Sequence, residues 1–263
     1  MEELKKIPIE KEKKDILSMG QSISLGTNQL TEASIEPIKK RMNRIPSGIP
    51  GFDEIIGGGF IPNSINLVSG ETGTGKTIFC SQFIWNALCI GENGVYTTTQ
   101  QIPDEIRDDV AIFGRDFRKA EEMDQCRIIY IKPQDMKKIV DIILKNVKAI
   151  NAKRLVIDSI TTICEYADKR KDMRLNLSHL FQELKKMGVT TLITSEIEEG
   201  SKALSRFSIE EFMVDGVIVL NCGVEVGLAG IPRSFYIKKM RRTSHDLNLH
   251  PFEISERGIK IIS

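Results

Sequence analysis

Eight residues, GETGTGKT at positions 70–77, fill every fixed place of the pattern G-x-x-x-x-G-K-[ST]. Gly70, Gly73 and Gly75 let the chain fold back, so that the amides of Gly70, Glu71, Thr72, Gly73, Thr74 and Gly75 converge on phosphate oxygens. Lys76 brings a fixed positive charge towards the β- and γ-phosphates, and the Thr77 hydroxyl suits a magnesium ion. The short apolar run INLV leads into the glycines, and a long apolar segment follows Lys76. Those flanks read as strand and helix, which a merely flexible glycine loop would not need. ATP with Mg²⁺ is the expected ligand, with no N-K-x-D run to argue for guanine.

A second run, RLVIDS at 154–159, carries three apolar residues to a strand tip and delivers Asp158. Downstream of such a loop, that carboxylate is placed to hold a magnesium-bound water. Thr77 and Asp158 are therefore the candidate metal ligands.

These residues need a scaffold that brings strand ends together. From Arg44 onward, β-branched runs alternate with helical patterns. Strands are predicted at 64–69, 94–99, 127–131, 154–158, 189–195, 216–220 and 234–239. Several are apolar throughout, as strands covered on both faces are. The segment 135–150 sets Met136, Ile139, Val140, Ile143, Val147 and Ile150 on one helical face. The segment 172–187 does the same with Met173, Leu177, Leu180, Phe181 and Leu184, and Gly188 stops it. Alternating elements imply an α/β fold with a mainly parallel sheet flanked by helices. The last third is strand-rich and ends in a predicted hairpin, 252–255 with 259–262.

Residues 1–42 read differently: a mixed-charge run, a small polar stretch, and a short helix predicted at 35–43. They offer few apolar side chains to offset the entropy of ordering, so a mobile arm is expected, with the ATP-binding domain at 43–263. The 263 residues suit one such domain plus an appendage. With 37 basic against 36 acidic residues, the net charge of +1 gives no global pull towards nucleic acid or anionic membrane. Five scattered cysteines without a C-x-x-C pair read as reduced thiols. No apolar run is long enough to span a bilayer, so no membrane is expected and the cytoplasm is the expected location. Trp85, in the helix after the loop, is expected in the core.

Over residues 44–263 the chain resembles the KaiC-like branch of the RecA superfamily. The resemblance is carried by RIPSGIPGFDEIIGGGFIPNSINLVSG, GENGVYTTTQQIPDEI, GVTTLITSEIEEG, KKMRRTSH and PFEISERGIKI, each quoted as it stands. It implies a RecA-like P-loop NTPase core with a C-terminal β-rich block. It also implies a homo-oligomeric ring, usually hexameric, with ATP between protomers. In such a ring a K-x-R pair reaches the neighbour's γ-phosphate, and the pair falls on Lys239 and Arg241, just after a strand expected at 235–238. The block that follows implies nucleotide contacts from Ser244 and His245.

Two departures qualify the resemblance. Where the family carries two adjacent glutamates that activate water, this chain has Gln100 and Gln101. An amide orients water but cannot take its proton as a carboxylate does. Binding is therefore expected to be intact and turnover low, and Gln100→Glu or Gln101→Glu is expected to quicken it. Asp104, Glu105 and Glu196 are the acids that could serve instead, although nothing in the sequence positions them. The stretch SIEEFMVDGVIVL has Glu211 and Phe212 where the clock members carry phosphorylated Ser and Thr, which argues against a phosphorylation clock.

A ring of this kind touches substrates through two loops, 165–174 and 196–207. Both mix charges, and the first holds Lys169, Arg170, Lys171 and Arg174 but only Tyr166 for stacking. DNA is thus a partner that the charge does not support. The expected function is a nucleotide-dependent switch, with slow ATPase activity, acting on an unknown protein partner. The alternatives are a RecA-paralogue-like factor in DNA recombination or repair, and a scaffold that binds nucleotide without hydrolysing it.

Overall fold

In the computed structural model, six parallel strands bring their carboxyl ends to one edge, and that edge carries the candidate residues. The structure describes residues 43–132, 134–167, 169–223 and 233–262. The expected arm, and nearly all of the helix expected at 35–43, lie outside the described residues.

The strands are β1 (Ile65–Gly70), β2 (Gly94–Thr98), β3 (Cys126–Tyr130), β4 (Arg154–Asp158), β5 (Thr190–Glu196), β6 (Gly216–Asn221), β7 (Arg233–Met240), β8 (His250–Ser255) and β9 (Gly258–Ile261). Their order in the sheet is β3-β2-β4-β5-β1-β6-β7-β8-β9. Pairing is parallel from β3 to β6 and antiparallel from β6 to β9. The expected α/β core and strand-rich end are both present. All six residues of β1 and all five of β2 are buried, which accounts for their lack of polar alternation.

Helices cover both faces. On one face lie α5 (Met136–Ala149) and α7 (Arg170–Lys186), which bury the two apolar stripes read from the sequence. The Asp135 carboxylate caps α5 by accepting from the amides of Lys137 and Lys138, and Gly188 ends α7 at φ 74°. The opposite face is covered by α1 (Phe52–Ile55), α2 (Lys76–Cys89), α3 (Pro103–Ala111) and α4 (Phe117–Glu122). Two short helices complete the described set, α6 (Ile160–Glu165) and α8 (Glu210–Met213).

The lead-in before β1 is part of the core. Phe52 is fully buried, with its ring 5.1 Å from Phe79, 5.3 Å from Phe235 and 5.8 Å from Phe60. Arg154 fastens the same segment from beneath. Its fully buried guanidinium donates to Pro46 O at 2.8 Å, to Phe83 O at 3.1 Å and to the Glu92 carboxylate at 2.9 Å. A charge is tolerated there because it is paired and hydrogen-bonded.

Several details depart from the sequence reading. The strand predicted at 234–239 runs one residue further at each end, so Lys239, which the family resemblance set just after a strand ending at 238, lies inside β7. Arg170 and Lys171, expected in a loop, begin α7, two residues before the predicted helix start. Trp85 is only half-buried, its ring 5.7 Å from that of Phe117, because it sits on the outer side of α2. Cys80, Cys126 and Cys164 are buried, while Cys89 is exposed. Among the described residues, no helix is long and apolar enough to cross a membrane.

If the lead-in belongs to the core, Phe52→Ala should destabilise the protein by about 3–5 kcal/mol. Urea unfolding of both proteins checks this, and an unchanged midpoint would contradict it.

Candidate nucleotide site

The loop 70–77 leaves β1 and enters α2 at the sheet's carboxyl edge, where open α/β sheets bind ligands. Gly75 caps α2 at φ 98°, a backbone that side chains avoid, and Gly73 sits at 78°. Gly70 is held by proximity: a Cβ there would lie 2.5 Å from Leu220 O. The turn therefore needs its glycines for two separate reasons, conformation and closeness.

Lys76 is drawn back over the loop, its Nζ donating to Gly70 O and to Glu71 O, each at 2.9 Å. Burial pushes its pKa below the ordinary lysine value, and the nearby carboxylates of Asp158 and Glu196 oppose that shift. An ammonium desolvated in this way gains from any phosphate oxygen placed beside it. Thr74 is buried and braces the loop by donating to Glu71 O at 2.9 Å.

Asp158 ends β4 and gathers three hydroxyls. Thr77 donates to its Oδ2 at 3.0 Å, Tyr96 to the same oxygen at 2.6 Å, and Thr194 to Oδ1 at 2.6 Å. Burial, followed by the charge of Asp158, pushes the Tyr96 phenol pKa well up, so Tyr96 stays a donor. Strand register makes this convergence, since Thr98 of β2 pairs with Asp158 and Thr191 of β5 pairs with Leu155. Thr77 and Asp158 are hard oxygen donors in contact, the set that a divalent cation such as magnesium accepts.

Gln100 and Gln101 follow β2 at the same edge, and each meets a carboxylate. Gln100 Nε2 donates to Glu196 Oε1 at 2.6 Å, and Gln101 Nε2 donates to Asp109 Oδ2 at 2.9 Å. A glutamate at either position, expected from sequence to quicken turnover, would therefore bring two carboxylates together.

A cavity of about 490 Å³ joins these parts. Its polar end holds Thr72, Lys76, Thr77, Gln100, Asp158 and Glu196. Val110, Ile112 and Phe113 give the cavity a more apolar part, and Ile254 lies beside Gly75 of the loop. One end thus suits phosphates and the other a flat ring.

Sequence reasoning missed Tyr96, Thr194 and the apolar end. Hydroxyl-bearing residues in strands that are buried along most of their length were signals that could have found the first two. The cavity brings α3 and the turn after it to the loop, which spacing alone does not connect.

Lys239, Arg241, Ser244 and His245 do not line this cavity. Lys239 Nζ donates to Val214 O at 2.6 Å and to Glu211 O at 3.1 Å. Arg241 is exposed and bonds Asp215 Oδ1 at 3.2 Å. Ser244 is exposed, and His245 Nδ1 lies 3.3 Å from Thr243 O.

Comparison with known proteins is consistent with this geometry. The family model described as "ATPase: KaiC" matches residues 45–263. The chain is 35% identical over 235 residues to a UPF0273 protein of Pyrococcus furiosus, covering 83% of this chain and 93% of that protein. It is 31% identical over 237 residues to the circadian clock oscillator protein KaiC of Prochlorococcus marinus, covering 86% of this chain but 46% of that longer protein. Among solved structures, a KaiC-like protein of Pyrococcus horikoshii superposes with a TM-score of 0.76 at 42% identity, covering 84% of this chain and all of the other.

Proposed function

The chain belongs to the KaiC family of ATPases, and we propose that it binds Mg-ATP between the protomers of a homo-oligomeric ring, hydrolyses it slowly, and acts as a nucleotide-dependent switch for a protein partner. One observation carries the reading. The hydroxyl of Thr77 and the carboxylate of Asp158, 81 positions apart in the chain, meet at 3.0 Å beside the Lys76 ammonium.

In this reading the amides of residues 70–75 hold the triphosphate, Lys76 neutralises its β- and γ-oxygens, and the apolar end of the cavity takes the base. Magnesium would be held by Thr77 and, directly or through water, by Asp158. Bound there, it withdraws charge from the phosphates. Tyr96 and Thr194 keep the Asp158 carboxylate aimed.

Support for a ring comes from residues that face away from the chain's own cavity. The Arg241 side chain is 53% exposed, and the buried Asp215 that it meets is also bonded by Lys185 at 2.7 Å and by Ile65 N at 3.0 Å, so Asp215 keeps partners if Arg241 turns to a neighbour. Leu247 and Leu249 nearby are exposed at 75% and 61%, an apolar surface suited to burial against a neighbour. From there Lys239 and Arg241 would stabilise charge on the neighbour's transferring phosphoryl group, with Ser244 and His245 beside its nucleotide. Slow turnover is supported by Gln100 and Gln101.

The DNA reading has less behind it. Arg170 donates to Phe207 O at 2.9 Å and so ties the two expected contact loops together. The second of these exposes Glu198 and Glu199.

Calorimetry with Mg-ATP should show Lys76→Ala binding roughly 10–100-fold more weakly than wild type. Equal affinity would sink the reading. Tyr96→Phe, which frees Asp158 from one donor, should weaken binding in magnesium about tenfold and leave metal-free nucleotide binding unchanged. An equal loss in both conditions would remove the aiming role. In the ring, phosphate release should rise steeply with protein concentration and disappear in Arg241→Ala while affinity persists. Turnover independent of concentration would contradict the shared site.

A further inference from the structure

We propose that Glu196 is the general base of hydrolysis in this protein and that Gln100 is its positioning residue. The proposal rests on the nucleotide reading above and deepens it. With amides at 100 and 101, the question is which group takes the proton of the attacking water.

Three carboxylates line the cavity: Asp109, Asp158 and Glu196. Asp158 accepts from Thr77, Tyr96 and Thr194, which occupies most of its acceptor sites and ties it to the metal side. Asp109 lies on α3 next to Val110, at the apolar end, and is engaged by Gln101. Glu196 is different. It is the last residue of β5 and stands in register beside Gly70, the first residue of the phosphate loop.

Its main chain is fixed on both sides. Glu196 N donates to Thr161 Oγ1 at 3.1 Å, and Ile197 N donates to Gly70 O at 3.2 Å. Its charge also reaches Lys76, whose pKa it helps to hold up against burial. A carboxylate tied to the loop in this way faces the end of the triphosphate that Lys76 neutralises.

Gln100 completes the device. An ionised carboxylate only accepts, so the amide nitrogen must be the atom that faces Glu196 across 2.6 Å. That fixes the amide orientation and leaves Gln100 Oε1 and Glu196 Oε2 to accept from a water. Two such acceptors match the two hydrogens of one water.

In the step, the water oxygen forms a bond to the γ-phosphorus as the bond to the β,γ-bridging oxygen breaks. The electron pair of that bond leaves with ADP. The water proton passes to Glu196 Oε2 and later returns to solvent, so the products are ADP and inorganic phosphate. The arrangement also changes what Gln100→Glu should do: two carboxylates in contact share a proton and make a poor acceptor, so this variant should not be faster than wild type.

The experiment is single-turnover phosphate release from the full-length chain with Mg-ATP, with affinity measured by calorimetry on the same preparations. Glu196→Gln should release phosphate about 100-fold more slowly or less, with Kd within about twofold of wild type. Glu196→Ala should regain part of the rate as formate is added, because a free carboxylate fits the space left, whereas a merely structural defect would not respond. Gln100→Ala keeps the proposal testable if changes at 196 impair folding, and it should slow release about tenfold at unchanged affinity. The proposal is overturned by wild-type rates in Glu196→Gln or Gln100→Ala, by no formate response in Glu196→Ala, by a faster Gln100→Glu, or by a wild type that binds Mg-ATP without cleaving it. A wild type that fails to bind Mg-ATP at all would instead remove the nucleotide reading itself.

Discussion

One carboxylate organises the site. Asp158 accepts hydroxyl hydrogen bonds from α2 through Thr77, from β2 through Tyr96 and from β5 through Thr194. Three elements that meet only through the sheet are thereby fixed at one point. Hydrogen bonds to an ionised acceptor are each worth about 1.5–3 kcal/mol, so the cluster is rigid as well as polar. The phosphate loop hangs from it, because Thr77 is the second residue of the helix that the loop begins.

That convergence depends on packing far from the chemistry. Apolar residues on both faces of the sheet hold the strands in register, and register alone decides that Thr98 lies beside Asp158 and Gly70 beside Glu196. Arg154 and the Phe52 cluster pin the lead-in under α2, which sets the height at which the loop leaves β1. A shift of one residue in any of these strands would turn its side chains to the opposite face. The site is thus a property of the whole sheet rather than of the eight-residue loop.

Much of this was legible in the sequence. The loop, the strand ending at Asp158, the apolar stripes of α5 and α7 and the stop at Gly188 all declare themselves through local pattern, because neighbours in sequence settle them. The partners of Lys239 did not, since it lies within β7 and donates to the backbone oxygens of Val214 and Glu211, more than twenty positions away. Nor did the pairing of Gln100 with Glu196, which lie 96 positions apart and meet only because β2 and β5 flank the same strand, β4. Sequence reading named Glu196 as an acid without a position. The sheet supplies the position. The apolar lining of the cavity was hidden for the same reason, coming from α3, the turn after it and β8.

The central claim is that Thr77 and Asp158 hold a cation against a triphosphate seated in the loop. A crystal structure of the protein with magnesium and a non-hydrolysable ATP analogue tests it most directly. The expected result is a triphosphate wrapped by the amides of residues 70–75, with the metal on the Thr77 hydroxyl and Asp158 holding it directly or through one water. A nucleotide bound elsewhere, or a metal that engages neither residue, would contradict it.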